Sequence, residues 1–408
     1  MRSGDVDRST MAVHREGDEL LVFGVVDGSR QVFSGLPVAL ITGPGRMTVM
    51  NDVAGPPAAT SALDIAVERA PHPWEHQFAV YAASETGWMG GDSTYSVSLA
   101  NGQRLWLFSD TRLADDRWIN NSVVIQSPDG TLRTVHGGTA AEPDALVVPP
   151  SRIGEDGLTR WLWTSDAVAL DGPDHPVADH RLWTFFQEFR STKPDSEKGE
   201  WDFAWVRSIL VELSLPDLRV LGQTPIDDGT GVQWGAAVQR VGDELLVYGL
   251  IDQGHEKHLA VAKSQLSDLS GRWSYRTADQ RWSSQPGDTG RLLTGVSNEF
   301  AVLPLPGPTE EWLLVTSDTT LPFGEWPIVA YWSTDATGPW TGPIPVHDPA
   351  REANPPVGGN RYAYNPTLVQ LADTSFVLAY NVNSTLEEVT ADPRIYRPRF
   401  RQVRISRR

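Results

Sequence analysis

An all-β fold, a five-bladed β-propeller with an N-terminal β extension, is predicted by three observations. Helical periodicity is scarce along the 408 residues, and short alternating or apolar runs are punctuated by Gly, Pro, Asn and Asp. A pattern of inner strand, turn, aromatic-rich strand and third strand returns at intervals of roughly 50–70 residues, the spacing of propeller blades that carry loop insertions. The chain is 40 % hydrophobic and holds 16 Trp, enough to fill the cores between such blades.

Taken in order, the first unit has strands over Tyr95–Leu99, Arg104–Ser109 and Ser122–Gln126. The second has Trp161–Ala169, Arg181–Phe189 and Ser208–Leu213, and the third Trp234–Arg240, Glu244–Leu250 and His258–Ser264. Glu299–Leu303, Glu311–Thr316 and Ile328–Ser333 make the fourth, and Asn365–Leu371, Ser375–Tyr380 and Arg399–Ile405 the fifth. The fifth unit runs out with three strands, and Gln77–Ala82 is expected to supply its outer one, closing the ring without an open edge. Gly17–Asp27 echoes Gly242–Asp252 closely, so a six-bladed ring is the alternative. Five is preferred because Ala54–Pro73 is rich in Ala and Pro and reads as a linker. The expected organisation is a β meander over 1–55, a linker over 56–75 and the propeller over 76–408.

Charge and composition exclude several functions. With 34 Lys and Arg against 52 Asp and Glu, a net charge of −18 argues against nucleic acid or an anionic membrane as partner. No run approaches the length of a membrane-spanning helix. The absence of cysteine removes disulfides, thiolate catalysis and Cys-ligated metals. Met1–Arg15 has no apolar run resembling a signal peptide, which predicts a cytoplasmic protein, or a secreted one if an export signal has been removed. The nine histidines include no HExxH, and His255 and His258 read as solvated residues flanking a loop. No GxSxG, GxGxxG or P-loop pattern occurs. No cofactor is expected; a structural Ca²⁺ held by carboxylates stays open, without an EF-hand signature. The basic run 393–401 reads as a last strand whose arginines pair with neighbouring blades.

The chemistry is expected where the first hairpin begins and ends. Asp92 opens its first strand, Asn101-Gly102 forms the turn and Asp110 closes the return strand, so antiparallel order brings both carboxylates to one rim. A carboxylate pair is what glycoside hydrolysis requires: a protonated acid for the leaving oxygen and a charged partner for water or the sugar. Trp88 and Tyr95 are candidates for an apolar wall, and Asn120 and Asn121 for hydrogen bonds to hydroxyls. Inner-strand starts and second-strand ends place Glu188, Glu299, Asp318, Asn365 and Asn381 on the same face, with Trp234 as a platform for a sugar ring. Crowded like charges there would raise some pKa values. The main pocket is expected at this mouth, with Arg190–Asp202 overhanging it as a partial lid.

The segments Gly-Trp-Met-Gly-Gly-Asp-Ser-Thr-Tyr-Ser (87–96), Leu-Trp-Leu-Phe-Ser-Asp-Thr (105–111) and Asn-Asn-Ser-Val-Val-Ile-Gln (120–126) resemble a family of bacterial five-bladed propellers. Tyr-Asn-Pro-Thr-Leu (364–368), Leu-Ala-Tyr-Asn-Val-Asn-Ser (378–384) and Tyr-Arg-Pro-Arg-Phe (396–400) fit it too. That family includes endo-D-arabinanases acting on mycobacterial arabinan, and the resemblance implies catalysis by Asp92 and Asp110. The expected function is a glycoside hydrolase on a furanoside-type glycan. Two alternatives remain at this point: an intracellular cyclase or isomerase acting on a small molecule, and a non-catalytic carbohydrate-binding propeller.

Overall fold

A computed structural model describes residues 12–16, 19–26, 29–33, 63–172, 179–254, 256–351, 360–372 and 374–407. His255 and residues 56–62 of the expected linker lie outside them. The chain divides into two compact units, Met1–Thr60 and Ser61–Arg408. In the first, Ala12–Glu16, Glu19–Val26 and Ser29–Phe33 form an antiparallel three-stranded sheet in chain order.

The second unit is a β-propeller of five sheets, counted among the described residues and ignoring small two- and three-stranded additions. Blade one runs Tyr95–Ser98, Arg104–Phe108, Ser122–Gln126 and Leu132–Val135. Blade two runs Arg160–Leu170, Arg181–Ser191, Phe203–Ser214 and Val220–Ile226. Blade three is built on Gln233–Val241, Glu244–Asp252 and Lys257–Gln265, with short outer strands beyond. Blade four runs Ala301–Leu305, Glu311–Ser317, Ile328–Ser333 and Thr341–His347. Blade five has Tyr362–Ala372, Ser375–Asn383 and Arg399–Arg407.

The outer strand of blade five is Leu63–Pro71, which pairs antiparallel with Arg399–Arg407. This corrects two expectations. Part of the supposed linker is a strand, because Leu63, Ile65 and Val67 alternate inward along it. Gln77–Ala82, expected as the closing strand, lies instead within a helix, Pro73–Ala83. Pro73 opens that helix, His72 Nδ1 accepts the Trp74 amide at 3.3 Å, and Phe78 and Ala82 share one buried face four residues apart.

Side chains on the two faces of each sheet fill five buried clusters among the described residues, each shared by successive blades. The fifth joins blade five (Val377, Ala379, Phe400) to blade one (Trp106, Phe108, Val124) and takes Phe78 and Ala82 from the helix. Blade five therefore packs directly on blade one. Side chains seal the seam: Thr367 Oγ1 donates to the Thr94 carbonyl at 3.3 Å, and Asn381 Nδ2 donates to Thr94 Oγ1 at 2.9 Å.

Two further readings are revised. His258 is buried rather than solvated, sitting in a central strand of blade three with Nδ1 3.1 Å from Thr294 Oγ1. From the basic run, Arg397 donates to the Met89 carbonyl at 2.9 Å and Arg401 pairs with Glu75 of the helix at 2.7 Å. No helix among the described residues is long and apolar enough to cross a membrane.

Phe400 has no exposed surface, and its ring lies 5.4–6.0 Å from those of Phe78, Trp106 and Trp74. Truncating it opens a cavity in the seam cluster, so Phe400→Ala is expected to lower the unfolding free energy by about 3–5 kcal/mol, measured by urea denaturation.

Candidate active site

Asp92 and Asp110 are placed by main-chain hydrogen bonds. The amide of Asp92 donates to the Asp110 carbonyl at 3.3 Å, and the amide of Ser109 donates to the Asp92 carbonyl at 3.1 Å. Two residues of the return strand thus oppose one of the first, and the ladder is interrupted between Gly91↔Thr111 and Tyr95↔Leu107. At this bend Ser93 and Thr94 adopt φ of 70° and 59°, a left-handed conformation unfavourable for side chains branched at Cβ such as threonine. Asn381, through Thr94 Oγ1 and the Gly91 carbonyl at 3.3 Å, holds the bend in place from blade five. The turn at the far end is made by Gly102 at φ 82°.

The two carboxylates have unequal surroundings. Asp92 Oδ2 accepts the Tyr364 hydroxyl at 2.8 Å, with the Tyr396 hydroxyl as a second donor, while its Oδ1 has no partner among the described residues. Burial, and then the charge of Asp110, push its pKa up to about 7 against these hydrogen bonds. Asp110 Oδ1 accepts the Trp163 indole N–H at 2.7 Å and the Asn120 amide at 3.1 Å. Burial raises its pKa too, opposed by those donors and by the positive charge of Lys198. The environment thus favours a proton on Asp92 and a negative charge on Asp110.

Glu299 adds a third carboxyl. Ser93 Oγ lies 2.7 Å from both Glu299 Oε1 and Ser109 Oγ, and Ser109 Oγ in turn accepts the Thr164 amide at 3.0 Å. Burial, reinforced by the charge of Asp92, lifts the Glu299 pKa well above its ordinary value. A hydroxyl carries one proton, so a neutral Glu299 donating to Ser93, with Ser93 donating to Ser109, satisfies this chain.

The other expected site residues divide sharply. Asn120 is at the pair, and Asn381 supports it from behind. Asn365 occupies φ 53° at an irregularity in the inner strand of blade five, directly after Tyr364, and so acts through the backbone. Trp88 is not a wall: it is fully buried against Phe78 and Phe108, at 5.0 and 5.1 Å. Tyr95 faces the core and donates its hydroxyl to the Ala236 carbonyl at 3.0 Å. Trp234 cannot stack on a sugar, since it has no exposed surface and its indole N–H is held by Asp228 at 2.8 Å. Asn121 clips backbone instead of facing solvent, donating to the carbonyls of Val147 and Leu162 at 2.8 and 2.9 Å. Glu188 is 1 % exposed and bound between Arg160 and Arg207 at 3.2 and 2.6 Å, a buried ion pair with no free charge to offer. Asp318 caps its own loop, accepting the amide and hydroxyl of Thr320 at 3.0 and 2.5 Å. A strand-end position specifies which end of a sheet a residue occupies but not whether its side chain points into the channel, and these six side chains are engaged elsewhere.

The aromatic wall exists, but from other residues. From Trp163, at Asp110, ring contacts pass to Phe203 at 5.1 Å, to Trp201 at 6.2 Å and on to Tyr362 at 6.3 Å. Tyr362 lies 5.4 Å from Tyr364, at Asp92, and Phe323 packs against both Tyr362 and Trp201 at 4.7 and 6.0 Å. Trp201 and Phe323 are 63 % and 55 % exposed. Trp201 belongs to the segment expected to overhang the rim, and Glu200 beside it accepts the Leu386 amide at 3.0 Å, so this loop of blade two reaches residues of blades four and five. Lys198 of the same loop stands 4.3 Å over the Trp161 ring. One signal for this wall is present in the sequence: Trp161 and Trp163 alternate on an inner strand. Among the described residues, no group of three or more His, Asp or Glu side chains could hold a metal ion.

The raised pKa of Asp92 sets a sign for stability. The folded chain keeps this proton up to about pH 7, whereas an unfolded aspartate releases it near 3.8, so the group's contribution to stability falls as pH rises between those values. Asp92→Asn is therefore expected to stabilise the protein at about pH 8, on the order of 1–3 kcal/mol, and to change it little below about pH 4. Thermal unfolding at the two pH values measures the difference.

Comparison with known proteins places this geometry in a known architecture. None of the curated proteins matches the sequence. A crystal structure from Bacteroides ovatus, provisionally described as a hydrolase, superposes with a TM-score of 0.60 at 15 % identity over 87 % of this chain and 97 % of that one. The catalytic domain of the Coprinopsis cinerea GH62 α-L-arabinofuranosidase matches at a TM-score of 0.44 and 9 % identity, over 78 % of this chain and 92 % of that one. An α-L-arabinanase mutant from Cellvibrio cellulosa matches at 0.41 and 11 %, over 77 % and 91 %. At these identities the likeness is one of fold. A family model covers residues 75–405, from the first turn of the helix into the last strand, and the chain belongs to that family, the Domain of unknown function (DUF5005).

Proposed function

We propose that the protein is a glycoside hydrolase cleaving a furanoside-type, arabinan-like glycan, with Asp92 as acid and Asp110 as its ionised partner. The observation that carries this reading is the pair itself: two carboxylates on one bend, whose surroundings favour a proton on the first and a charge on the second. Asp92 Oδ1, unpartnered while Oδ2 holds the Tyr364 hydroxyl, is the oxygen free to give its proton to the glycosidic oxygen as the C–O bond breaks. Asp110 then takes a proton from the attacking water or bonds the anomeric carbon itself. The indole and phenol rings between them offer faces for the apolar side of sugar rings. The furanoside assignment is supported by the motifs around both aspartates and by the resemblance they carry. The Bacteroides ovatus protein's hydrolase description agrees with this reading without carrying it.

The purified protein is expected to release oligosaccharides from arabinan. Asp92→Asn and Asp110→Asn, which keep shape and remove the proton chemistry, are each expected to lower turnover by about 10²–10⁴-fold. Activity should decline above about pH 7 as Asp92 loses its proton. Wild-type rates in both variants would overturn the roles, and no release from arabinan or aryl arabinofuranosides would overturn the substrate class.

A further inference from the structure

The sequence placed the main pocket at the channel mouth, yet a cavity of about 440 Å³ opens at the opposite end of blade one, beside the Gly102 turn and the Pro73–Ala83 helix. Its polar lining has a fixed sense. The Trp106 indole can only donate, and it donates to Gln126 Oε1 at 3.1 Å. The Gln126 amide nitrogen therefore points onward and donates to Gln77 Oε1 at 2.8 Å, which leaves the Gln77 NH₂ as the terminal group. A second relay has the same direction. The Gln103 main-chain amide donates to Asn101 Oδ1 at 2.9 Å, so the Asn101 nitrogen donates to Gln103 Oε1 at 2.9 Å, and the Gln103 NH₂ is left over.

Arg104 lines the same cavity. Its guanidinium stands 5.1 and 5.7 Å from the Trp74 and Trp106 rings, which meet edge to face at 5.0 Å, and one nitrogen donates to Ser96 Oγ at 3.3 Å. No carboxylate pairs with it among the described residues, although the chain carries a charge of −18 and Arg181, Arg401 and Arg407 each pair with a glutamate. Burial already works against the charge on Arg104. The only acid of the lining, Asp129, is exposed and holds the Thr131 amide at 3.0 Å. Three donor groups, one of them a half-buried cation, thus converge on one cavity with little to accept from them.

We propose that this cavity binds a small carboxylate, a sugar acid or a simple organic acid, whose oxygens take the Arg104 guanidinium and the Gln77 and Gln103 amides. The indole of Trp74 supplies the apolar edge of the site, with Trp106 packed behind it. This site is independent of the carboxylate pair at the mouth, and its occupant has the charge that the rest of the acidic surface repels.

Titration with D-glucuronate, acetate and D-glucose, followed by tryptophan fluorescence and calorimetry on the whole protein, tests it. Glucuronate is expected to bind, and Arg104→Gln to weaken it by about tenfold or more. Gln77→Glu keeps the acceptor for Gln126 and replaces the free donor by a carboxylate, so it should weaken binding similarly even if the Arg104 variant folds poorly. Acetate binding as tightly as glucuronate supports the site and assigns it to simple organic acids, while weaker acetate binding assigns it to sugar acids. Glucose matching glucuronate, glucuronate binding unchanged in Gln77→Glu, or no binding of either acid at about 10 mM overturns the proposal.

Discussion

The seam at which blade five meets blade one is the constraint on which the rest of the structure depends. Asp92 and its left-handed neighbours belong to blade one, but the groups that hold them come from blade five: Tyr364, Tyr396, Thr367 and Asn381. The same seam holds the Phe78–Phe400 stack at 5.6 Å and the helix that covers it. Ring closure and site assembly are therefore one event. A buried polar network of this kind is stable only when each member finds its partner, and here the partners lie some 270 residues apart in the chain, as Tyr364 and Asp92 do.

Main-chain bonding fixes where the two carboxylates stand, and side chains from different blades set how each behaves. Tyrosine hydroxyls reach Asp92 from blade five, whereas an indole of blade two and an amide of blade one reach Asp110. The asymmetry follows from which neighbour supplies the donors, blade five to Asp92 and blade two to Asp110. Two like charges on one bend repel, and burial sharpens the repulsion. A proton held on Asp92 relieves that repulsion.

The five-fold repeat, the strand positions and the Asp92–Asp110 pair were legible because each depends on period and on antiparallel order, which a linear sequence displays. Side-chain direction was not. Trp234 and Trp88 look like exposed platforms in sequence, yet both fill cores, while Trp201 and Phe323, in loops without periodicity, carry the exposed rings. The closing strand was missed because the alternation of Leu63, Ile65 and Val67 follows an Ala- and Pro-rich stretch, and because Phe78 and Ala82 sit four apart in a segment short enough to read as a strand. Nothing local distinguishes Tyr364 and Tyr396 from core tyrosines; their role exists only once the ring is shut.

The pairing of Leu63–Pro71 with Arg399–Arg407 has a consequence for how the protein comes into being. On the ribosome, the outer strand of blade five emerges before the other four blades, and its partner only after them. It must wait unpaired, with an open edge, through the synthesis of all the intervening blades. A chain released early could stack several blades and still possess no working mouth. Long-range closure of this sort raises the contact order of the fold and slows its formation, so the bend that carries Asp92 gains its blade-five partners only when the ring shuts.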